Sequence, residues 1–221
     1  MKAETKQIAF DLEQLIIPPG NTVQLKNVSW EMFENILNKL GEGYAARLAY
    51  DNGTLEIKMP LLGHEDDKEI IGDLLKALLE ELNMDFRTAG STTFKRADVR
   101  KGVEPDQCFY IKNEATIRGK REIDLTVDPP PDLALEIDNT SKTRLDSYEA
   151  LGIPELWIYN GEVLKIYQLQ DQKYIESTAS ANFPEISVIS AIPQYLEQSK
   201  TLGRSATIRT FRTWVREQLS K

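Results

Sequence analysis

Two short apolar stretches decide the fold: Glu104-Pro105-Asp106-Gln107-Cys108-Phe109-Tyr110-Ile111 and Leu133-Ala134-Leu135-Glu136-Ile137-Asp138. Both are rich in aliphatic or aromatic residues and have turn-forming glycine or proline before them, which predicts two strands. Side chains alternate between the faces of a strand, so Glu104 and Asp106 share one face of the first strand. Glu136 and Asp138 share one face of the second. If the strands are neighbours, these carboxylates form an acidic cluster suited to a divalent cation.

The composition is that of a globular chain with one sizeable core. The sequence has 221 residues, of which 41% are apolar and 28% charged, and it shows neither an internal repeat nor a low-complexity linker. We therefore expect a single domain over residues 1–221, with a core at about 28–169 and a helical C-terminal extension at about 185–221. The single cysteine, Cys108, excludes a disulfide within the chain and a multi-cysteine zinc site.

The charge of the chain limits its partners. A net charge of −8 argues against strong non-specific DNA binding by the whole surface. The segment from Lys200 to Lys221 is different, because it contains six basic residues and a single acid. The sequence has no signal-peptide pattern and no apolar run of membrane-spanning length, so we expect a cytoplasmic protein without a membrane partner.

Apolar spacing and capping residues outline the elements around the two strands. Five segments are predicted as helices: 29–40, 64–82, 142–151, 189–199 and 207–219. Asn52-Gly53 favours a hairpin between strands at 45–50 and 54–58, and Asn160-Gly161 favours a second one between 156–159 and 163–169. The last helix carries a basic face formed by Arg209, Arg212 and Arg216, which we interpret first as a solvated surface and alternatively as a nucleic-acid contact.

The carboxylates match the needs of a Mg²⁺-dependent nuclease. Such an enzyme holds the ion with hard oxygen ligands, and the ion keeps several waters. Asp106, Glu136 and the carbonyl oxygen of Ile137 would bind the metal. Glu104 and Asp138 would assist them.

The reaction also needs a cation or base near the attacking water, because negative charge builds up on the phosphoryl oxygens. Lys142, shortly after the second strand, is the first candidate for the cation, with Lys95 and Lys68 as the other two. His64 lies at the predicted start of helix 64–82, on the side that the apolar stripe of the helix reaches. It is the only histidine, so a Ser-His-Asp triad has little support, and its role is either structural or within the site.

Structural roles compete with these interpretations. Asp106 could cap a turn at the start of a strand, and Glu136 could face solvent on an edge strand. The run Leu133-Ala134-Leu135 argues against an edge, since it is apolar on both faces. We expect Cys108 and Trp157 to be core residues.

At these residues the chain resembles the bacterial putative restriction endonucleases of the PD-(D/E)xK nuclease superfamily. The resemblance covers about residues 28–169, and the matching segments are 90–94, 102–111, 130–138 and 148–157, together with His64-Glu65. It implies a restriction-endonuclease-like α/β core, in which a mixed central β-sheet is flanked by helices. Pro105-Asp106 matches the superfamily's Pro-Asp, and Glu136-Ile137 matches its second acid and the following spacer. Mg²⁺ or Mn²⁺ as cofactor and DNA as substrate follow from the same resemblance.

The chain departs from the superfamily pattern at Asp138, where lysine is expected. An aspartate cannot stabilise the developing phosphoryl charge unless a metal intervenes. Two functions therefore stay open: a metal-dependent DNA endonuclease, or a catalytically inactive nuclease-fold protein that binds nucleic acid or a protein partner. Cleavage of both strands at a symmetric site would suit a two-fold homodimer.

Overall fold

The computed structural model describes residues 15–41, 46–90, 92–138 and 142–220. These residues form eleven strands and six helices, which we number in chain order. The strands are β1 Thr22–Lys26, β2 Arg47–Asp51, β3 Thr54–Lys58, β4 Arg87–Thr88, β5 Phe94–Arg96, β6 Lys101–Val103, β7 Gln107–Tyr110, β8 Leu133–Ile137, β9 Glu155–Tyr159, β10 Leu164–Gln170 and β11 Lys173–Ser177. The helices are α1 Trp30–Leu40, α2 Leu62–Glu81, α3 Glu114–Ile117, α4 Leu145–Leu151, α5 Val188–Leu202 and α6 Arg204–Leu219.

A six-stranded mixed sheet forms the centre of the molecule, in the order β11-β10-β9-β8-β7-β4. The β8 and β9 strands are parallel, and the other neighbours are antiparallel. The predicted mixed sheet is thus confirmed, and β8 is a central strand between β7 and β9. Every residue of β8 is buried, which is why its sequence is apolar on both faces.

A second, five-stranded antiparallel sheet has the order β1-β3-β2-β6-β5. The sequence did not indicate this separate sheet, although it did predict the β2–β3 hairpin. Asn52 and Gly53 turn that hairpin with φ of 45° and 95°, as an Asn-Gly turn favours. Ser29 caps α1 by accepting a hydrogen bond from the Met32 N–H at 3.1 Å, and α1 packs on this hairpin through Phe33 and Tyr50.

Helices cover both faces of the mixed sheet. The long α2, with α5 and α6, packs on the face that presents Leu135, Ile137 and Trp157. The short α4 packs on the opposite face, which presents Cys108 and Ala134. Cys108 and Trp157 are core residues as expected.

The basic face of α6 is largely paired with α2. Arg212 donates to Glu80 and Glu81, and Arg216 donates to Glu81. These contacts join two helices, so Arg212 and Arg216 do not form the freely solvated face that we preferred from the sequence. Arg209 is exposed.

Some boundaries differ from the prediction. The expected strand from Glu104 to Ile111 is shorter, since β7 contains only Gln107–Tyr110. Pro105 explains the difference, because proline has no N–H to donate to a ladder. The α4 helix begins at Leu145 rather than at 142, while the capping signal at 139–141 and position 45 of the first hairpin lie outside the described residues. Among the helices of the described ranges, none has both the length and the apolar character to cross a membrane.

Candidate active site

Asp106 and Glu136 face each other where β7 and β8 meet. The antiparallel register pairs Gln107 with Leu135 and Cys108 with Ala134. Continued by one position, it places Asp106 opposite Glu136, and residues that face each other in a ladder project to the same side of the sheet. Both carboxylates are buried, with 4% of Asp106 and 9% of Glu136 exposed. The two strands therefore bring together the two acids that the sequence singled out.

Asp106 is held by groups from three other elements. Its Oδ2 accepts a hydrogen bond from the Ile137 N–H at 2.9 Å and lies 3.0 Å from His64 Nε2, while its Oδ1 lies 4.0 Å from Arg47 Nε. Burial raises the pKa of Asp106, but the neighbouring imidazole and the Ile137 N–H outweigh it, so the pKa lies below its ordinary value. Asp106 is therefore the ionised member of the pair.

Glu136 has the opposite electrostatic situation. Burial, followed by the negative charge of Asp106, raises the pKa of Glu136 well above its usual range. Its Oε1 accepts a hydrogen bond from the Tyr148 hydroxyl of α4, whose own pKa is raised by burial and by the negative charge of Glu136. Two carboxylates placed together in this way favour a shared proton or a bound cation.

The main-chain carbonyl of Ile137 lies at the same edge of β8 as Asp106. The N–H and the C=O of one strand residue point to the same side, and the Ile137 N–H is bonded to Asp106. The continued register places Pro105 opposite Ile137, and proline has no N–H with which to occupy that carbonyl. The ladder thus leaves this oxygen without its usual donor.

A small cavity opens beside Glu136. It has a volume of about 70 Å³, enough for an ion and a few waters. Its lining contains four basic and four acidic side chains: Arg47, Glu56, Lys58, Glu104, Glu136, Asp138, Lys142 and Arg144. Asp106 and His64 are not part of this lining; His64 lines a separate pocket at the start of α2.

The structure separates the lysine candidates. Lys68 bonds Glu65, and Lys95 bonds Glu34 at 2.9 Å, so both are occupied by carboxylates outside the cavity. Lys142 lines the cavity, as does Lys58 at the end of β3. The charge of Lys58 lowers the pKa of both Asp106 and Glu136.

Glu104 and Asp138 are both engaged in hydrogen bonds with the protein. Glu104 accepts from the Leu48 N–H at 3.0 Å and from Thr93 Oγ1 at 2.5 Å. Asp138 accepts from Thr143 through its N–H at 2.9 Å and its hydroxyl at 2.6 Å. Glu104 follows β6 and Asp106 precedes β7, so the two do not share the face of one strand as we expected. These bonds organise the walls of the cavity.

Buried polar atoms without a hydrogen-bonding partner cluster near Asp106. In the described parts of the chain, four buried side-chain atoms have no hydrogen-bonding partner: Arg47 Nε, His64 Nδ1, His64 Nε2 and Glu65 Oε1. His64 Nε2 is near Asp106 but outside hydrogen-bond geometry, and Arg47 lies 4.0 Å from both Glu65 and Asp106. Buried groups are nearly always satisfied, so such a cluster is typical of a place that holds water, an ion or a ligand.

Sequence reasoning missed three residues of this site: Arg47, Lys58 and Tyr148. A signal for the first two was present. The Asn52-Gly53 turn sets Arg47 opposite Lys58, and like charges facing each other are unfavourable unless acids lie nearby. Tyr148 gave no comparable signal, because an aromatic residue on the apolar side of a helix is normally interpreted as a core residue.

The oxygen set fits a divalent cation with few protein ligands. No group of three or more His, Cys, Asp or Glu residues in the described ranges could hold a metal. Two carboxylates and one main-chain carbonyl remain, which suits Mg²⁺ because it binds to one or two carboxylates and keeps its other ligands as water. The closeness of Asp106 to Glu136 supports this fit.

Comparison with known proteins identifies the family of the chain. The family model described as "Uma2: Putative restriction endonuclease" matches residues 30–200. The chain belongs to this family. Membership confirms the resemblance noted in the sequence and supports a nuclease function, in a superfamily that generally uses divalent metals.

A solved structure from Anabaena variabilis ATCC 29413, described as a putative nuclease belonging to DUF820, is similar to this chain with a TM-score of 0.49 and 15% sequence identity. The match covers 72% of this chain and 96% of that chain. No curated protein matches the sequence.

Proposed function

We propose that this family member is a Mg²⁺-dependent endonuclease that hydrolyses phosphodiester bonds of DNA, with Mn²⁺ as an alternative ion. Asp106, Glu136 and the Ile137 carbonyl would hold the metal. The observation that carries the proposal is the pairing of Asp106 with Glu136 across β7 and β8, where burial, followed by repulsion from Asp106, raises the pKa of Glu136. A cation removes that repulsion.

A bound ion would supply positive charge to the phosphoryl oxygens and would lower the pKa of the attacking water. The protein residues have complementary roles. Tyr148 orients Glu136 through its hydroxyl, and His64 lies against Asp106 and would fix its orientation as a positioning residue.

Lysine at the superfamily's usual position is replaced by Asp138, so another cation must face the phosphate. Lys58 and Lys142 both line the cavity. We assign the larger role to Lys58, because it stands opposite Arg47 in the β2–β3 hairpin and Arg47 Nε lies 4.0 Å from Asp106, whereas Lys142 follows β8 in the segment before α4. An ammonium at this position would stabilise charge that develops in the transition state.

The test is cleavage of supercoiled plasmid and of linear duplex in Mg²⁺ or Mn²⁺, with chelator as the blank. We expect metal-dependent nicking that is lost in Asp106→Asn and Glu136→Gln. Calorimetric titration with Mn²⁺ gives an independent result, since binding should disappear in the same two variants. Cleavage equal to that of the variants would overturn the enzymatic proposal.

Binding without cleavage would instead support the inactive nuclease-fold alternative, which is favoured by one observation: Asp138 stands where lysine is expected. We further propose that a two-fold homodimer acts on duplex DNA. Sedimentation analysis of the free protein and of its DNA complex tests this, because a monomer in both states would contradict it.

A further inference from the structure

A polar groove lies next to the active-site cavity. It has a volume of about 810 Å³, and its charged lining residues are Arg47, Arg87, Lys95, Glu104, Arg121 and Glu122. Arg47 and Glu104 also line the cavity, so the two spaces adjoin. The groove therefore has more basic than acidic residues, in a chain whose net charge is −8.

Two of the four basic side chains of the groove, Arg87 and Lys95, are already bound to other groups of the protein. Arg87 donates to the Lys120 carbonyl at 2.6 Å and to the Ile117 carbonyl, and Lys95 is paired with Glu34 at 2.9 Å. Such contacts hold the groove wall in place. They leave these two side chains with little freedom to follow a ligand.

Arg47 and Arg121 differ from them. The Nε of Arg47 is buried without a hydrogen-bonding partner, and its nearest carboxylate oxygens lie 4.0 Å away. Arg121 is exposed and makes no ion pair or hydrogen bond within the described part of the chain. Arg121 thus presents guanidinium donors that are unused by the described residues. Arg47 donates from Nη1 to the Ala46 carbonyl at 3.5 Å and keeps a buried Nε without a partner, at the boundary of the groove with the cavity.

We propose that this groove binds the phosphodiester backbone of the DNA substrate beyond the phosphate that is cut, with Arg47 and Arg121 as its phosphate donors. The assignment rests on the proposed function, since it supplies the path by which a strand reaches the site. A guanidinium presents a planar fork of donors that matches a phosphate. It also compensates locally for the overall negative charge.

The lining also indicates which part of the DNA the groove contacts. No aromatic side chain lines it among the residues that the structure places, so it lacks the platforms on which bases stack. Contacts with phosphates carry no sequence information. We therefore expect binding that is independent of base sequence and sensitive to salt.

The experiment measures binding separately from cleavage. Fluorescence anisotropy with a labelled DNA duplex is followed over a series of salt concentrations in the Glu136→Gln background. Arg121→Gln should weaken binding by up to about fivefold and make the slope of log affinity against log salt shallower by about one unit. The matched control is Arg209→Gln, which removes an exposed arginine of α6 that does not line the groove and should change neither quantity.

The Arg47→Lys variant keeps the positive charge but removes the planar set of guanidinium donors. It should weaken DNA binding, while its circular dichroism spectrum and its free energy of unfolding should stay close to those of the parent. Equal binding by Arg121→Gln, Arg209→Gln and the parent, or no binding by the parent, would overturn the groove assignment. A wild-type protein that binds through Arg121 but never cleaves would overturn the proposed function and leave this assignment intact.

Discussion

The backbone N–H of Ile137 donates to Oδ2 of Asp106 at 2.9 Å, although Asp106 precedes β7 and Ile137 ends β8. A side-chain oxygen thus takes the place of a main-chain acceptor just where Pro105 interrupts the ladder. The bond fixes one oxygen of Asp106. The other oxygen, Oδ1, has Arg47 Nε at 4.0 Å and remains able to bind a cation.

The Asp106→Asn substitution tests whether Oδ1 of Asp106 binds the metal. The substitution keeps the size of the side chain and an acceptor for the Ile137 N–H, but removes the negative charge that binds a metal. We expect loss of Mn²⁺ binding by calorimetry and a fall in plasmid cleavage of about a hundredfold or more.

The matched control for this substitution is Asp132→Asn. Asp132 is equally buried, at 4% exposed, and accepts backbone hydrogen bonds from Ile111 and Asn113, but it precedes the first residue of β8, at the end of the strand opposite Glu136 and Ile137. It should keep metal binding. If both variants lose metal and activity alike, Asp106 acts through folding and not as a ligand.

Glu136→Gln should stabilise the metal-free protein at alkaline pH while it abolishes cleavage. The folded pKa of Glu136 is raised by burial and by Asp106, so its stabilising contribution is fully present below the unfolded pKa and is lost as pH rises towards the folded pKa. Glutamine does not titrate and can still accept from Tyr148. Urea unfolding in chelator should show a higher free energy of unfolding than the parent at alkaline pH and little difference below the unfolded pKa.

The comparison variant is Glu155→Gln on the adjoining strand. Glu155 is 1% exposed and accepts from Trp157 Nε1, Ser180 Oγ and the Ala181 N–H, each at 2.6 Å. An amide satisfies these three donors less well, so this variant should lose stability. A gain in both variants would mean that the effect at Glu136 is not specific to its pairing with Asp106.

The sequence was sufficient to predict the acidic pair because its signal is local. The alternation of β8 places Glu136 on one face of a strand that is otherwise apolar, and two such strands close in sequence tend to be neighbours. Asp106 was also identified, but the strand around it was predicted to begin at Glu104, whereas β7 begins at Gln107. Pro105 already indicated the later start, since proline has no N–H to donate in a ladder.

The rest of the site depends on contacts between distant parts of the chain. Lys58 approaches Glu136 only because β3 belongs to the second sheet, and nothing near either residue specifies how the two sheets pack. The engagement of Asp138 with Thr143 is similar, since a carboxylate after a strand can bind a metal or cap the next turn. Tertiary placement decides between these roles.

Lys58→Gln should reduce cleavage more than Lys142→Gln. Both side chains line the cavity, but Lys58 stands opposite Arg47, whose Nε lies 4.0 Å from Asp106. Loss of a cation at the transition state lowers kcat by about a hundredfold. Single-turnover cleavage of a labelled duplex measures the rate, and the affinity of each variant for DNA is measured separately to check that binding persists. A larger defect in Lys142→Gln would transfer the role to Lys142.

Asp138→Ala distinguishes a supporting acid from a ligand. Asp138 binds the N–H and the hydroxyl of Thr143 just before α4, so we expect a loss of about 1 kcal/mol of stability, as for other capping side chains. Cleavage should fall less than tenfold, far less than in Asp106→Asn. Asp124→Ala is the matched control, because Asp124 makes the same two bonds to Thr126 away from the cavity. It should lower stability without changing cleavage. A defect in Asp138→Ala as large as that of Asp106→Asn would show that Asp138 acts directly on the metal or the phosphate, and that its bonds to Thr143 are rearranged in the active complex.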